Sequence, residues 1–131
     1  NYIKAIILKE SGADPNLTGP QGEIGLMQIP PAIAQQIISE QQLPNFSLSK
    51  VYEPAWNIAF GCYYLYNLSE EFNHEVDKIL AAYYLGKEEA KKYQNQQFPP
   101  PVQNYIDRVK YLALIFDSFP QPGDRCRSVV K

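Results

Sequence analysis

An all-α domain is the fold class this sequence predicts, and three observations predict it. Apolar residues recur at spacings of three and four through most of the chain. No run alternates apolar and polar residues as a half-buried strand would. The 131 residues, 45% apolar and only 20% charged, are enough for one buried core and too apolar for a disordered chain.

The first helix carries Ile3, Ile6, Ile7 and position 10 on one face, and Gly12 and Pro15 stop it. Residues 13–29 hold Asp14-Pro15-Asn16, Gly19-Pro20, Gly22 and Gly25, the composition of a structured loop. Pro30-Pro31 suits a first helical turn, and Ile33, Ile37 and Ile38 continue an amphipathic segment to about residue 42. Residues 43–53 read as a linking loop. A longer helix starts near Pro54 with the stripe Ala55, Ile58, Ala59, Cys62, Leu65, Tyr66 and Phe72. Another runs from about Glu75, with Val76, Ile79, Leu80 and Tyr83 on one side, and ends near Gly86. Residues 87–95 form a short polar helix, and Phe98-Pro99-Pro100-Pro101 forces an extended turn. The final helix carries the apolar seam Val102, Tyr105, Val109, Leu112 and Phe116. Pro120, Pro122 and Gly123 then mark a tail, which divides the chain into a domain over 1–118 and a tail over 119–131.

Charge and composition exclude several functions. Twelve basic against fourteen acidic residues give −2; the tail is +2, so residues 1–118 sum to −4. An affinity for nucleic acid would rest on a basic face, so no nucleic-acid partner is expected. No stretch of 18 apolar residues exists to span a membrane. One His (His74) and two Cys lack the number and spacing of a structural zinc site. Cys62 and Cys126 are open to one disulfide in an oxidising compartment. The chain opens at Asn1-Tyr2 directly on a periodic run, which reads as a mature form or an excised domain.

Glu10 breaks the first stripe. It stands where the periodicity of Ile3, Ile6 and Ile7 next asks for an apolar residue. A carboxyl there either faces the interior or a cleft, where desolvation raises its pKa, or turns out to solvent at the helix end. In the first case it keeps a proton near neutral pH, as cleavage of a glycosidic bond requires.

Four elements in order then carry a resemblance. Glu10-Ser11 closes a helix, and Gly25-Leu26-Met27-Gln28 follows within Gly22–Ile29. Ala81-Ala82-Tyr83-Tyr84-Leu85-Gly86 comes third and Asn104-Tyr105-Ile106-Asp107-Arg108-Val109 fourth. Asn57-Ile58, Gly61 and Tyr64-Leu65 match the intervening helix. Over about residues 3–116 the chain resembles the soluble lytic transglycosylase family, which shares the lysozyme-like fold with goose-type lysozymes. The resemblance implies a lysozyme-like helical domain with a substrate cleft, with Glu10 as sole catalytic acid and base. It implies substrate contacts from Ser11, near the scissile sugar, from Met27, Gln28 and Ile29 on the floor, and from Tyr83 and Tyr105 bracketing the cleft. Tyr presents a flat apolar face and a hydroxyl to a sugar, and Gln both donors and an acceptor to an acetamido group. Met27, Tyr83 and Tyr105 are also open to a reading as plain core residues. One departure stands out: the family has Asn after its Ala-Tyr pair, and this chain has Tyr84.

Most glycosidases use two carboxylates. The positions matching the goose-type aspartates are Gly19 and Pro30, and neither ionises. Asp14 beside Pro15 reads as a turn former, Glu53 is a further nearby candidate, and Glu23 is the leading suspect for a second carboxylate. With one acid, the resemblance implies a substrate-assisted route on the glycan strands of peptidoglycan that ends in 1,6-anhydro-N-acetylmuramic acid, with no metal or cofactor. It also implies a cell-envelope setting, periplasmic or extracellular, with further domains or envelope machinery as partners. The acidic balance fits wall remodelling from within, with little salt dependence of wall binding. The alternatives are a hydrolase of peptidoglycan or chitin on the same fold, and an inactive glycan-binding or scaffold module.

Overall fold

The computed structural model describes residues 1–93 and 95–120. Among the described residues six α-helices follow in order: α1 Tyr2–Ser11, α2 Pro31–Glu40, α3 Pro54–Glu71, α4 Val76–Leu85, α5 Lys87–Lys91 and α6 Pro100–Ser118. No strand occurs among the described residues, and the only strand-like pairing is two isolated bridges, Thr18 with Ile24 and Ile24 with Ile29. No described helix is long and apolar enough to cross a membrane.

Local chemistry sets the helix ends. Gly12 ends α1 in the left-handed region at φ 61°, where glycine carries no Cβ penalty, and its N–H reaches the Leu8 carbonyl at 3.0 Å. Proline occupies the first turn of α2, α3 and α6, where a missing N–H costs nothing. The Pro99–Pro101 run therefore differs from the extended turn expected of it. Pro99 alone is extended, and Pro100 and Pro101 start α6. The linker over 43–53 is also more ordered than expected, because a 3₁₀ turn over Leu48–Tyr52 buries Val51 completely. The short polar helix is confined to Lys87–Lys91.

The core lies where α1 packs on α6, α6 on α4, and α4 on α3 and α5. Ala5, Ile6, Phe60, Leu68, Leu80, Ile106 and Val109 fill it. The seam of α6 is buried as its spacing predicts, apart from a half-buried Phe116. On α4, Val76 is exposed while Leu80 and Tyr83 are buried.

Of the expected stripe of α3 only Phe72, at the end of the helix, is buried. Ala55, Ala59, Cys62 and Tyr66 are exposed, and Ile58 and Leu65 only half-buried. The inward face is instead Asn57, Phe60, Gly61, Tyr64 and Leu68. Two of its members serve the loop between α1 and α2 rather than the apolar core. Asn57, wholly buried, donates to the carbonyls of Ile24 (2.8 Å) and Val51 (2.9 Å) and accepts from the Met27 N–H (2.8 Å). Gly61 leaves room for Met27: a Cβ there would meet the Met27 Sδ, with Cε at 2.5 Å. The expected tail has no helix at Phe119 and Pro120, and residues 121–131, with Cys126 and the disulfide to Cys62 that the sequence leaves open, lie outside the described residues.

Candidate active site

Glu10 sits in the last turn of α1, half-buried beside a groove of about 850 Å³. Pro20, Gln21, Glu23 and Gln28 from the loop line one side, and Tyr64, Tyr83, Tyr84, Leu85 and Gly86 the other. A hollow of about 550 Å³ between α2 and α3 shares Pro30, Tyr64 and Gly86 with it, which lengthens the trough.

Tyr105 is buried in α6, and its hydroxyl donates to Glu10 Oε1 at 2.7 Å. Burial raises the pKa of Glu10 above the ordinary carboxylate value. The Tyr105 hydrogen bond and the Lys9 charge pull it back down, and the Glu23 charge adds a smaller push upward. Tyr105 itself is pushed far above the usual phenol range, first by burial and then by Glu10, so it stays a protonated donor. Desolvation thus favours the acid form of Glu10 and the tyrosine favours the carboxylate, with burial the larger effect.

Tyr83 lines the groove, and its hydroxyl donates to the Met27 carbonyl at 2.5 Å. Its ring lies 5.4 Å from that of Tyr64. Gln28 also reaches the groove, at a backbone φ of 50°. Its Nε2 donates to the carbonyls of Leu17 (3.1 Å) and Gly25 (2.9 Å), so both amide hydrogens are committed to the loop. Only the carbonyl oxygen is left for a ligand, which corrects the expectation that Gln28 offers donors as well. The Gln28 Oε1 and a Glu23 carboxylate oxygen converge over Gly19, where a Cβ would collide with both.

Three expected contacts lie elsewhere. Ser11 is buried, and its hydroxyl turns back to the Ile7 carbonyl at 3.0 Å, as helix-end serines do. Met27 and Ile29 are completely buried and support the loop from beneath rather than facing a ligand. Asp14 is exposed and accepts from the Asn16 N–H at 2.9 Å, the turn its neighbours suggested. Glu23 does border the groove and accepts from the Gln21 N–H at 3.1 Å.

Sequence reasoning missed Tyr64 and the Leu85–Gly86 lip of the groove, although a tyrosine on α3 four residues after Phe60 was signal enough for Tyr64. Tyr84, noted only as a departure, is exposed and packs its ring 4.9 Å from that of Tyr105. Among the described residues no group of three metal-ligating side chains converges.

The sequence model of the Transglycosylase SLT domain matches residues 1–106. The chain belongs to that family. The soluble lytic murein transglycosylases of Escherichia coli K12 and Salmonella typhimurium are each 32% identical to this SLT domain over 87 residues, 66% of the chain. The chain spans about 14% of the length of those relatives. Among solved structures, an inactive mutant of the lytic transglycosylase Slt from Pseudomonas aeruginosa superposes with a TM-score of 0.80 at 24% identity. That match covers 92% of the SLT domain and 22% of the other chain. The 70 kDa soluble lytic transglycosylase of Escherichia coli gives 0.74 at 24% identity, over 82% and 20% of the two chains. A complex of the 70 kDa soluble lytic transglycosylase with bulgecin A gives 0.60 at 26% identity, over 83% and 16%. The SLT domain thus has the lysozyme-like helical fold of these neighbours.

Proposed function

We propose that this SLT domain is a peptidoglycan lytic transglycosylase that cleaves the bond from N-acetylmuramic acid to N-acetylglucosamine, with Glu10 as its acid and base. The observation that carries the reading is a half-buried Glu10, its pKa raised by burial, held at 2.7 Å by Tyr105 on the wall of a long groove. Protonated Glu10 gives its proton to the glycosidic oxygen as that bond breaks. The 2-acetamido oxygen of the muramic acid stabilises the cationic carbon left behind. The Glu10 carboxylate, now stabilised by the Tyr105 hydroxyl, takes the proton from the C6 hydroxyl as that oxygen closes a 1,6-anhydro ring. One residue changes between its two forms, and no water enters the product. Gln28 Oε1 is the acceptor for an acetamido N–H, and Tyr83 and Tyr84 offer ring faces to sugars. The relatives named as murein transglycosylases support the substrate and a cell-envelope location.

Glu23 favours a second reading. It borders the groove and its charge raises the pKa of Glu10, so a hydrolase could use it as a second carboxylate. Two variants separate the readings. Glu10→Gln is expected to lose activity on purified peptidoglycan by on the order of 10²–10⁴-fold while keeping its fold. Glu23→Gln is expected to retain activity within about tenfold, since it removes no proton donor. An active Glu10→Gln protein would overturn the role of Glu10, and equal losses in both variants would favour the hydrolase.

A further inference from the structure

Tyr84 stands between two hollows. On one side is the Glu10 groove, which it lines beside Tyr83 and Leu85. On the other is a hollow of about 400 Å³ whose lining includes Lys9, Tyr105 and Arg108. Glu10 borders only the first space and Tyr105 only the second. Among the described residues, Tyr84 alone is common to both. The Tyr105 hydroxyl still reaches Glu10 Oε1 at 2.7 Å, so that hydrogen bond crosses the boundary Tyr84 marks.

The ring of Tyr84 closes this boundary. Its centre lies 4.9 Å from that of Tyr105, with the two planes 34° apart. Tyr105 is only 4% exposed although it lines the hollow, and Tyr84 takes the solvent side of the pair at 47%. Burial is the largest influence on both ends of the hydrogen bond, and it raises the pKa of Glu10 and of Tyr105. The titratable and charged groups that act on Glu10 or feel its charge are Lys9 on its own helix, Glu23 in the loop, Tyr83 on α4 and Tyr105 on α6. Across the boundary the lining holds two cations and no acidic side chain. Tyr84 is also where the chain departs from the family motif, and the Asn of that motif has no ring to lay on Tyr105.

We propose that Tyr84 is a positioning residue: its ring, laid on Tyr105, seals the Glu10–Tyr105 hydrogen bond from the cationic hollow and so keeps Glu10 a proton donor. The proposal deepens the reading of Glu10 as the acid and rests on it. Without the ring, the groove and the hollow join. Water and the two cations then come closer to the Glu10 carboxyl, and both favour its charged form. Glu10 should therefore lose its proton at lower pH.

Carbon-13 NMR of the glutamate side-chain carboxyls, followed against pH in the substrate-free full chain, tests this directly, with Glu10→Gln identifying the resonance. A role in stacking on sugars would not move a titration read without substrate. Tyr84→Ala is expected to move the Glu10 titration to lower pH, and Tyr84→Phe, which keeps the ring, to hold it at the wild-type position. On peptidoglycan, kcat of Tyr84→Ala at pH 7 should fall by about three- to tenfold, with the alkaline limb displaced the same way. Tyr84→Asn is a second ringless variant with the same expected result, and a thermal melt by circular dichroism checks that each protein folds. A Glu10 titration unmoved in the folded ringless variants overturns the proposal, as does one that moves equally in Tyr84→Phe. A move to higher pH overturns it too, because that is the sign of a lost Tyr105 hydrogen bond rather than of a breached seal. A wild type that releases no product from peptidoglycan would instead overturn the glycan-cleaving reading, a result distinct from any change in the titration.

Discussion

The two walls of the Glu10 groove are held by different forces. The loop wall, residues 12–30, is fixed by hydrogen bonds to buried polar groups. Asn57 makes two of them, to Ile24 and Met27, Gln28 Nε2 two, and the Ile24–Ile29 pair bonds in both directions at 2.9 and 3.0 Å. The opposite wall is fixed by rings: Tyr83 against Tyr64, and Tyr84 against Tyr105. A buried polar network is all or nothing, since losing one partner strands the others away from water. Ring packing gives way gradually, and the hydroxyls it carries remain available for chemistry. The loop wall should therefore govern stability and the tyrosine wall should govern rate.

Asn57→Ala would break this contrast most severely. It strands the Ile24 and Val51 carbonyls and the Met27 N–H, at a cost of about 3–5 kcal/mol. The expected result is a fall of roughly 10 °C or more in Tm by calorimetry, with activity lost because the floor of the groove is lost. A fall of only a degree or two would mean that the loop does not depend on this tether.

Tyr105→Phe probes the other wall. Removing a hydrogen bond to Glu10 should lower kcat by about ten- to a hundredfold while shifting Tm little. The pH profile gives the sign. The first step needs protonated Glu10, so the rate falls as pH rises through its pKa. The Tyr105 hydrogen bond lowers that pKa, so its loss should move the alkaline limb to higher pH. A limb that moves to lower pH would mean that Glu10 is not the group being titrated.

Gly61→Ala sharpens the comparison with the smallest change. The added methyl would push on Met27, whose N–H and carbonyl link Asn57 to Tyr83, and should cost about 1–2 kcal/mol by urea unfolding. Part of the rate should fall with it, since the displaced Met27 carbonyl is the acceptor for Tyr83. Unchanged activity per folded molecule would show the two walls to be independent.

The same contrast explains what the sequence could and could not convey. Helices held by apolar burial were legible from spacing, as in α1 and α6. The inward face of α3 was not, because Asn57 and Gly61 stand there for hydrogen bonding and for room, and a hydrophobic pattern registers neither. Glu10 was legible as an anomaly in an apolar stripe, which is a local signal. Its partner Tyr105, 95 residues away, came from family resemblance alone. Gln28 was legible as a polar residue in the right loop, but the commitment of its amide hydrogens to Leu17 and Gly25 depends on a backbone turn that only the fold supplies. Ser11, Met27 and Ile29 were carried over from the family resemblance, and burial removes their side chains from the groove.

Digestion of peptidoglycan in water enriched in heavy oxygen, followed by mass spectrometry of the released sugar ends, tests the Glu10 mechanism most directly. Ring closure by the C6 hydroxyl predicts ends one water lighter than reducing sugars and free of the heavy isotope. Reducing ends that carry the label would contradict it, because they require a water molecule as the nucleophile.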